Sequence, residues 1–226
     1  MPPDLITQML VGSDPPSHTD HRFVAQRGFT KERMEALQPE IEARAHRVVD
    51  GFEARGSGNL VTDYALELTT QTIMAHMGLG YEHDAMMRQL RDDFAMILAS
   101  AAEPMAEPMR TQVWQRYIDA TLVLRRIIDE RRENPGTDLI SDMAIVNDKD
   151  GNRMLSAAQI AVHLTEFAMG GVDSTTQAVS NAVLFLARNP ETLAEAIEEA
   201  AKTTTRTARR TRAQNRAAKR AASFSA

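Results

Sequence analysis

The stretch that decides the fold is residues 156–188, SAAQIAVHLTEFAMGGVDSTTQAVSNAVLFLAR. It opens on Ser156 with Gln159 three positions later, a spacing at which the two side chains satisfy each other's free backbone N–H groups. Apolar and small residues then recur at helical spacing as far as Phe185, and the run stops just before Pro190. The sequence therefore predicts one long helix of roughly 50 Å, at about 1.5 Å per residue, which is enough to cross the core of a domain.

The chain on the N-terminal side of this helix is also predicted to be helical, so the fold class is mainly α. Aromatic residues make up only 5% of the 226 residues, and Ala, Leu, Ile, Val and 13 Met supply the apolar mass. Such a composition favours helices over strands. Helical spacing and turn residues predict further helices from Ser17 or Thr19 to about Gly28, from Pro39 to Gly56, over 62–77, 84–102 and 109–133, and from a cap at Thr137 to about Val146.

The charge pattern predicts a boundary near residue 201. The formal net charge is −5, but residues 202–226 hold eight Lys and Arg and no acid, whereas residues 1–201 hold 18 basic residues against 31 acidic ones. We therefore expect a helical domain over 1–201 and a basic, low-complexity tail over 202–226 that is disordered or read out of frame. The alternative for the tail is a nucleic-acid-binding arm, since dense positive charge suffices to neutralise phosphates; we expect no nucleic-acid partner.

Composition argues against several kinds of binding site and against targeting or membrane-spanning segments. With no cysteine in the chain, disulfides, iron–sulfur and zinc–cysteine sites and a cysteine nucleophile are ruled out. The first residues lack a basic region followed by an apolar run, and no apolar stretch reaches the ~20 residues of a bilayer span. We expect a cytoplasmic protein with no membrane contact and predict no metal bound directly by its side chains.

The residues that carry chemistry are GGVDSTT, residues 170–176, in the middle of the long helix. Each glycine costs a helix interior about 1 kcal/mol relative to alanine, and an unpaired buried acid costs more. We expect Asp173 to be buried, in a groove where the glycines let a ligand approach and the acid and hydroxyls line a proton path. The alternative is a helix–helix crossing at the glycines, with the hydroxyls bonded back to backbone carbonyls.

This stretch resembles the distal helix of the cytochrome P450 family in its bacterial soluble form. The family's signature there is a small residue, glycine, any residue, an acid and then threonine. It falls on Gly170, Gly171, Asp173 and, with serine in place of threonine, Ser174, followed by Thr175. The resemblance implies that Asp173 gates protons and that Ser174 or Thr175 orders the water that protonates bound dioxygen. It also implies that Gly170 and Gly171 face the haem cofactor.

A second resemblance lies near the N-terminus, in DPPSHTDHRFVAQRGFT, residues 14–30. It is similar to the family segment in which a histidine and an arginine, four residues apart on one helix, bind the haem propionates. Those positions fall on His18 and Arg22. The alternative is that His18 caps a turn and Arg22 is a solvated charge. The order of the two motifs, about 145 residues apart, favours the family reading.

The sequence also departs from the family pattern. The resemblance covers residues 8–200, about half of a full member, and the opening helices and sheet, the Glu-x-x-Arg brace and the cysteine loop have no counterpart. The resemblance implies oxygen insertion into a small lipophilic substrate, with electrons from redox partner proteins. Because no residue can supply a thiolate to haem iron, we expect this chain to be an inactive partial P450 fold. The rival prediction is a non-catalytic helical binding protein with a basic nucleic-acid arm.

Overall fold

A computed structural model describes Leu5, residues 8–53 and residues 55–203, and within these ranges the protein is helical without a β-strand. The helices are α1 (Ser17–Ala25), α2 (Lys31–Glu53), α3 (Leu66–Met77), α4 (Asp84–Ala99), α5 (Met109–Glu133), α6 (Leu139–Ala144), α7 (Ala157–Arg188) and α8 (190–203). Short 3₁₀ turns cover Gln26–Phe29 and Tyr81–His83, and a π-helical turn, Leu60–Ala65, leads into α3. The mainly α prediction is confirmed.

The chain divides into two compact units within α7, after Gln177. The first unit holds helices α1–α6 and the first two thirds of α7 around one hydrophobic core. Fully buried residues of that core include Phe94, Leu124, Ile128, Ile160 and Leu164. In the second unit, the end of α7 and α8 carry exposed apolar side chains, namely Leu184, Phe185, Leu193 and Ile197. None of the helices that the structure describes has the length and apolar composition that crossing a membrane requires.

The predicted start of α7 is confirmed in atomic detail. The backbone N–H of Ser156 donates to Gln159 Oε1 at 2.9 Å, and the N–H of Gln159 donates to Ser156 Oγ at 3.2 Å. The helix then continues unbroken through both glycines to Arg188. The observed helix Ala157–Arg188 therefore matches the predicted 156–188 to within one residue.

Two predicted helix starts are wrong. Pro39 lies inside α2, which begins at Lys31, because proline's fixed φ is helical and the lost backbone bond falls on an exposed turn, where solvent can satisfy the carbonyl of Glu35. Helix α6 is capped by Asp138 and not by Thr137: the carboxylate of Asp138 accepts from the N–H of Ser141 at 2.7 Å. The predicted tail 202–226 lies outside the described residues from 204 onward, so the boundary at 201 stays a prediction.

Candidate functional site

The outward face of α7 between Gly170 and Thr175 is the centre of the candidate site. Val172 and Thr176, one turn apart, are buried and hold the helix against the core. The intervening residues, Asp173, Ser174 and Thr175, are exposed, since each residue advances about 100° around a helix. The acid and both hydroxyls therefore share the side of α7 that faces away from the core of the first unit.

The two glycines leave this face open. A methyl group at Gly170 would meet no atom within 4 Å, and one at Gly171 would only touch the Ile73 side chain at an ordinary 3.5 Å. Packing among the described residues would therefore accept alanine at both positions, although alanine favours a helix by about 1 kcal/mol per site. The helix-crossing alternative finds no described neighbour at Gly170 that would need the space.

The expectation that Asp173 is buried is wrong. Its side chain is 56% exposed, and its Oδ1 lies 3.6 Å from Nη1 of Arg91 on α4. Arg91 is only 15% exposed, and its Nε and Nη2 donate to Asp92 at 3.1 and 2.7 Å. Nη1 of Arg91 is buried without a hydrogen bond, so the guanidinium keeps one donor directed toward the Asp173 carboxylate.

The hydroxyl groups of the motif differ in their hydrogen bonds and in their burial. Ser174 Oγ donates to the carbonyl of Gly170 at 2.6 Å, the back-bonding that the alternative reading anticipates, and its oxygen retains acceptor capacity. Thr175 is exposed on the same side. Thr176, the last hydroxyl of the motif, is instead buried with its Oγ1 2.8 Å from Thr69 Oγ1, and this contact ties α7 to α3.

His18 and Arg22 lie one turn apart on α1, as predicted, with His18 half-buried and Arg22 exposed. Among the described residues, no hydrogen bond or ion pair engages the Arg22 guanidinium, so it can accept an anion. Neither side chain contacts the 170–175 face through a hydrogen bond in the described part of the chain. The structure therefore leaves the Arg22 side chain and the 170–175 face open to a ligand, and it shows no direct hydrogen bond between them.

A buried polar cluster between α1 and α7 was missed by the sequence analysis. His163 Nδ1 lies 2.7 Å from Glu166 Oε2, and the His21 ring meets the His163 ring edge to face at 4.8 Å between centroids. Burial lowers the pKa of His21, and the nearby His163 lowers it further. Burial beside the charge of Glu166 raises the pKa of Tyr117 on α5 to about 12. The signal in the sequence is that Glu166 is the one Asp, Glu, Lys or Arg among residues 157–172.

The fit to haem is partial. The open face of α7 and the Arg22 guanidinium suit a flat anionic macrocycle, because charged arginine forks bind carboxylates strongly. An axial thiolate has no source, since the chain contains no cysteine. The described residues also contain no group of three or more His, Asp or Glu that could hold a metal ion. The residues present therefore offer the group an open helix face and an unpaired guanidinium, but no thiolate for its iron.

The comparisons with known proteins agree with this geometry. The family model for cytochrome P450 matches residues 4–218. The chain is 29% identical to cytochrome P450 133B2 of Xylella fastidiosa over 83% of its own length and 46% of the relative. It is 30% identical to the mycinamicin IV hydroxylase/epoxidase of Micromonospora griseorubida over 84% of its length and 45% of the relative.

Solved structures share the fold of this chain. The P450 MycG structure aligns with a TM-score of 0.66 and 28% identity, over 80% of this chain and 44% of that one. The structure of P450BioI in complex with an acyl carrier protein that carries a hexadecenoic acid has a TM-score of 0.71 at 24% identity, over 85% of this chain and 48% of that one. The chain thus spans about half the length of the curated relatives it matches.

Proposed function

The chain belongs to the cytochrome P450 family, and from that premise we propose that it carries the oxygen-handling half of a haem monooxygenase acting on a small lipophilic substrate. The observation that carries the proposal is the open glycine face of α7 beside an exposed acid and two hydroxyls. No described neighbour requires glycine at position 170, so its cost in helix stability is best explained by a ligand that approaches the backbone there.

In this proposal Asp173 holds and passes protons at its carboxylate. Exposure lets it exchange protons with solvent, and the Arg91 guanidinium at 3.6 Å provides a resting position for the ionised form. Rotation about the side-chain bonds of Asp173 then moves the carboxylate between Arg91 and the open glycine face of α7. Such gating requires a carboxylate that is held weakly, which a separation longer than a hydrogen bond provides.

Ser174 and Thr175 are proposed to order water on this open face of α7. The Ser174 hydroxyl already donates to the Gly170 carbonyl, so its remaining role is to accept a hydrogen bond. Thr175 can both donate and accept. Gly170 and Gly171 would border the haem face, while His18 and Arg22 would bind its propionates through charge-assisted hydrogen bonds.

Haem with an anionic sulfur ligand supplies oxygen activation in this family, and the electrons come from redox partner proteins. Because the 226 residues contain no cysteine, we propose that this chain alone is catalytically inactive and that stable thiolate ligation does not occur in it. The test is the carbon monoxide difference spectrum of the reduced, haem-loaded chain. We expect no red-shifted Soret band of the thiolate type, and the appearance of that band would refute the proposal.

The rival reading, a helical binding protein with a nucleic-acid arm, remains a proposal about residues 202–226. This hypothesis predicts an affinity for DNA that falls steeply as the salt concentration rises and that disappears when those residues are deleted. The deletion leaves helices α1–α7 untouched, so circular dichroism of the shortened chain serves as the control.

A further inference from the structure

We propose that Glu166 is a positioning residue that fixes α1, and with it the His18–Arg22 pair, against the oxygen-handling half of α7. The inference rests on the proposed function, since positioning matters only if the two regions share a ligand. Glu166 precedes Gly170 by four residues and Asp173 by seven, so all three lie on neighbouring parts of one side of the helix. Four residues correspond to about 6 Å along the axis.

The Glu166 carboxylate is held by three donors from two parts of the chain. The backbone N–H of Leu10 donates to Oε2 at 3.0 Å, and that of Val11 donates to Oε1 at 3.3 Å. His163 Nδ1–H donates to Oε2 at 2.7 Å, from one turn earlier on α7. The side chain is only 6% exposed, so the carboxylate has exchanged water for these partners. Glu166 therefore joins α7 to the segment that leads directly into α1.

His21 adds a second connection from α1 itself. Its ring packs edge to face on His163, and its Nε2 lies 3.3 Å from Nε2 of Gln159, which can donate to it. The charged and titratable groups that face this bridge are His163 and Glu166 from α7, Tyr117 from α5, and His18 and Asp20 from α1 itself. The bridge thus runs from Leu10 and Val11 through Glu166 and His163 to His21.

A carboxylate at position 166 is better suited to fixing the position of the Leu10–Val11 segment than to raising the stability of the fold. A buried charged side chain often stabilises a fold no better than a well-packed apolar one of similar volume, because the cost of removing it from water offsets its attraction to its partners. Hydrogen bonds from two successive backbone N–H groups, however, hold the donor segment in one place and one orientation. An apolar side chain at 166 would leave the N–H groups of Leu10 and Val11 without these acceptors, so the segment that leads into α1 would be held less firmly.

Amide hydrogen exchange measured by NMR tests the bridge without haem. In Glu166→Gln we expect exchange at Leu10 and Val11 to rise about tenfold or more, because the amide keeps only one acceptor oxygen. The matched control is Asp93→Asn, which removes another buried carboxylate, paired with Arg116 at 2.6 Å on α4 and α5. Parental exchange at Leu10 and Val11 in Glu166→Gln, or an equal rise in Asp93→Asn, would overturn the proposal.

Positioning itself is read from a distance between spin labels. The chain has no cysteine, so labels at Thr19→Cys on α1 and Gly170→Cys on α7, both exposed sites, are the only ones introduced. We expect Glu166→Gln to widen the distance distribution about twofold through local opening of the 9–13 segment, and Asp93→Asn to leave it unchanged. An unchanged width in Glu166→Gln would show that Glu166 does not position α1.

A milder variant covers the case in which Glu166→Gln does not fold. Val11→Pro deletes one donor to Glu166 at a residue that is 80% exposed, so no core side chain is removed. We expect Leu10 exchange to rise several-fold while far-UV circular dichroism stays parental, and parental exchange at Leu10 would contradict the bridge. Because neither readout involves haem, the bridge can be confirmed even if the chain fails every haem test, and the two proposals fail separately.

Discussion

A step of one residue along α7 decides whether a side chain meets the core or the solvent. Val172 is buried, and Asp173, about 100° further round, has a side chain that is 56% exposed. An exposed carboxylate does not pay the desolvation cost of a buried one, and its separation of 3.6 Å from Arg91 leaves a weak attraction. Asp173 is therefore free to change partners at little energetic cost, which suits a gate better than a brace.

This exposure predicts that Asp173→Asn changes the free energy of unfolding by less than about 0.5 kcal/mol, the usual size of a surface ion pair. Urea unfolding at pH 7 measures it. Asp93→Asn, whose carboxylate is fully buried against Arg116, is the control and should lose clearly more. A loss above about 1.5 kcal/mol in Asp173→Asn, the size expected for a hydrogen bond to a charged group, would make Asp173 a structural brace.

Among single residues, the sequence could show which chemistry was present but not which way it faced. The glycines, acid and hydroxyls were identified from their cost in a helix, and the structure leaves Gly170 open as that argument anticipated. The burial of Asp173 was inferred from the apolar composition around it, which does not specify the phase of the helix. Arg91 was not identified because 82 residues separate it from Asp173, and no local pattern links them.

Between elements, a buried histidine ties α3 to the turn after α1. His76 packs edge to face on the Phe29 ring at 5.0 Å between centroids, and its Nε2 is buried without a hydrogen-bond partner. Burial lowers the pKa of His76 from its ordinary 6.5, and the positive charge of Arg33 lowers it further, against the opposing effect of Asp142 and Asp138. The folded protein therefore favours the neutral ring.

Stability should accordingly decrease as the solution is acidified. Below pH 6.5 the unfolded chain binds protons at His76 and His21 that the folded chain resists, so stability is full above that value and falls as pH drops below it. Urea unfolding at pH 7 and about 5.5 should show the decrease, and His76→Gln should reduce it. His46→Gln, at an exposed site on α2, should retain the parental slope; equal slopes in all three proteins would contradict the account.

Helix positions were predictable where the signal is local. The Ser156–Gln159 box and the proline after α7 define its ends through contacts within one turn, and the structure reproduces both. The same local reasoning placed the start of α2 at Pro39, because proline favours first turns. That prediction was wrong since an exposed turn tolerates proline. The Glu166 bridge could not be predicted, because it joins residues more than 150 positions apart.

At the scale of the whole molecule, the chain combines about half of a cytochrome P450 helical fold with the absence of any cysteine. The first unit buries a continuous apolar core, whereas the second exposes Leu184, Phe185 and Ile197. The family could be predicted from two motifs that are distant in sequence, because their order and separation restrict the topology. How the two motifs lie relative to each other could not be predicted from the sequence. The structure shows that α1 contacts α7 through the rings of His21 and His163.

The central claim is that the glycine face of α7 is where this chain meets haem, and one NMR titration tests it most directly. Ferric haem is paramagnetic and broadens nearby amide signals. Glycine amides share one region of the spectrum, so Gly170 and Gly171 can be followed together with Gly51, an exposed glycine of α2 without a close neighbour, as the internal control. We predict that substoichiometric haem broadens Gly170 and Gly171 while Gly51 stays sharp. Equal broadening of all three, or broadening of Gly51 alone, would contradict the account.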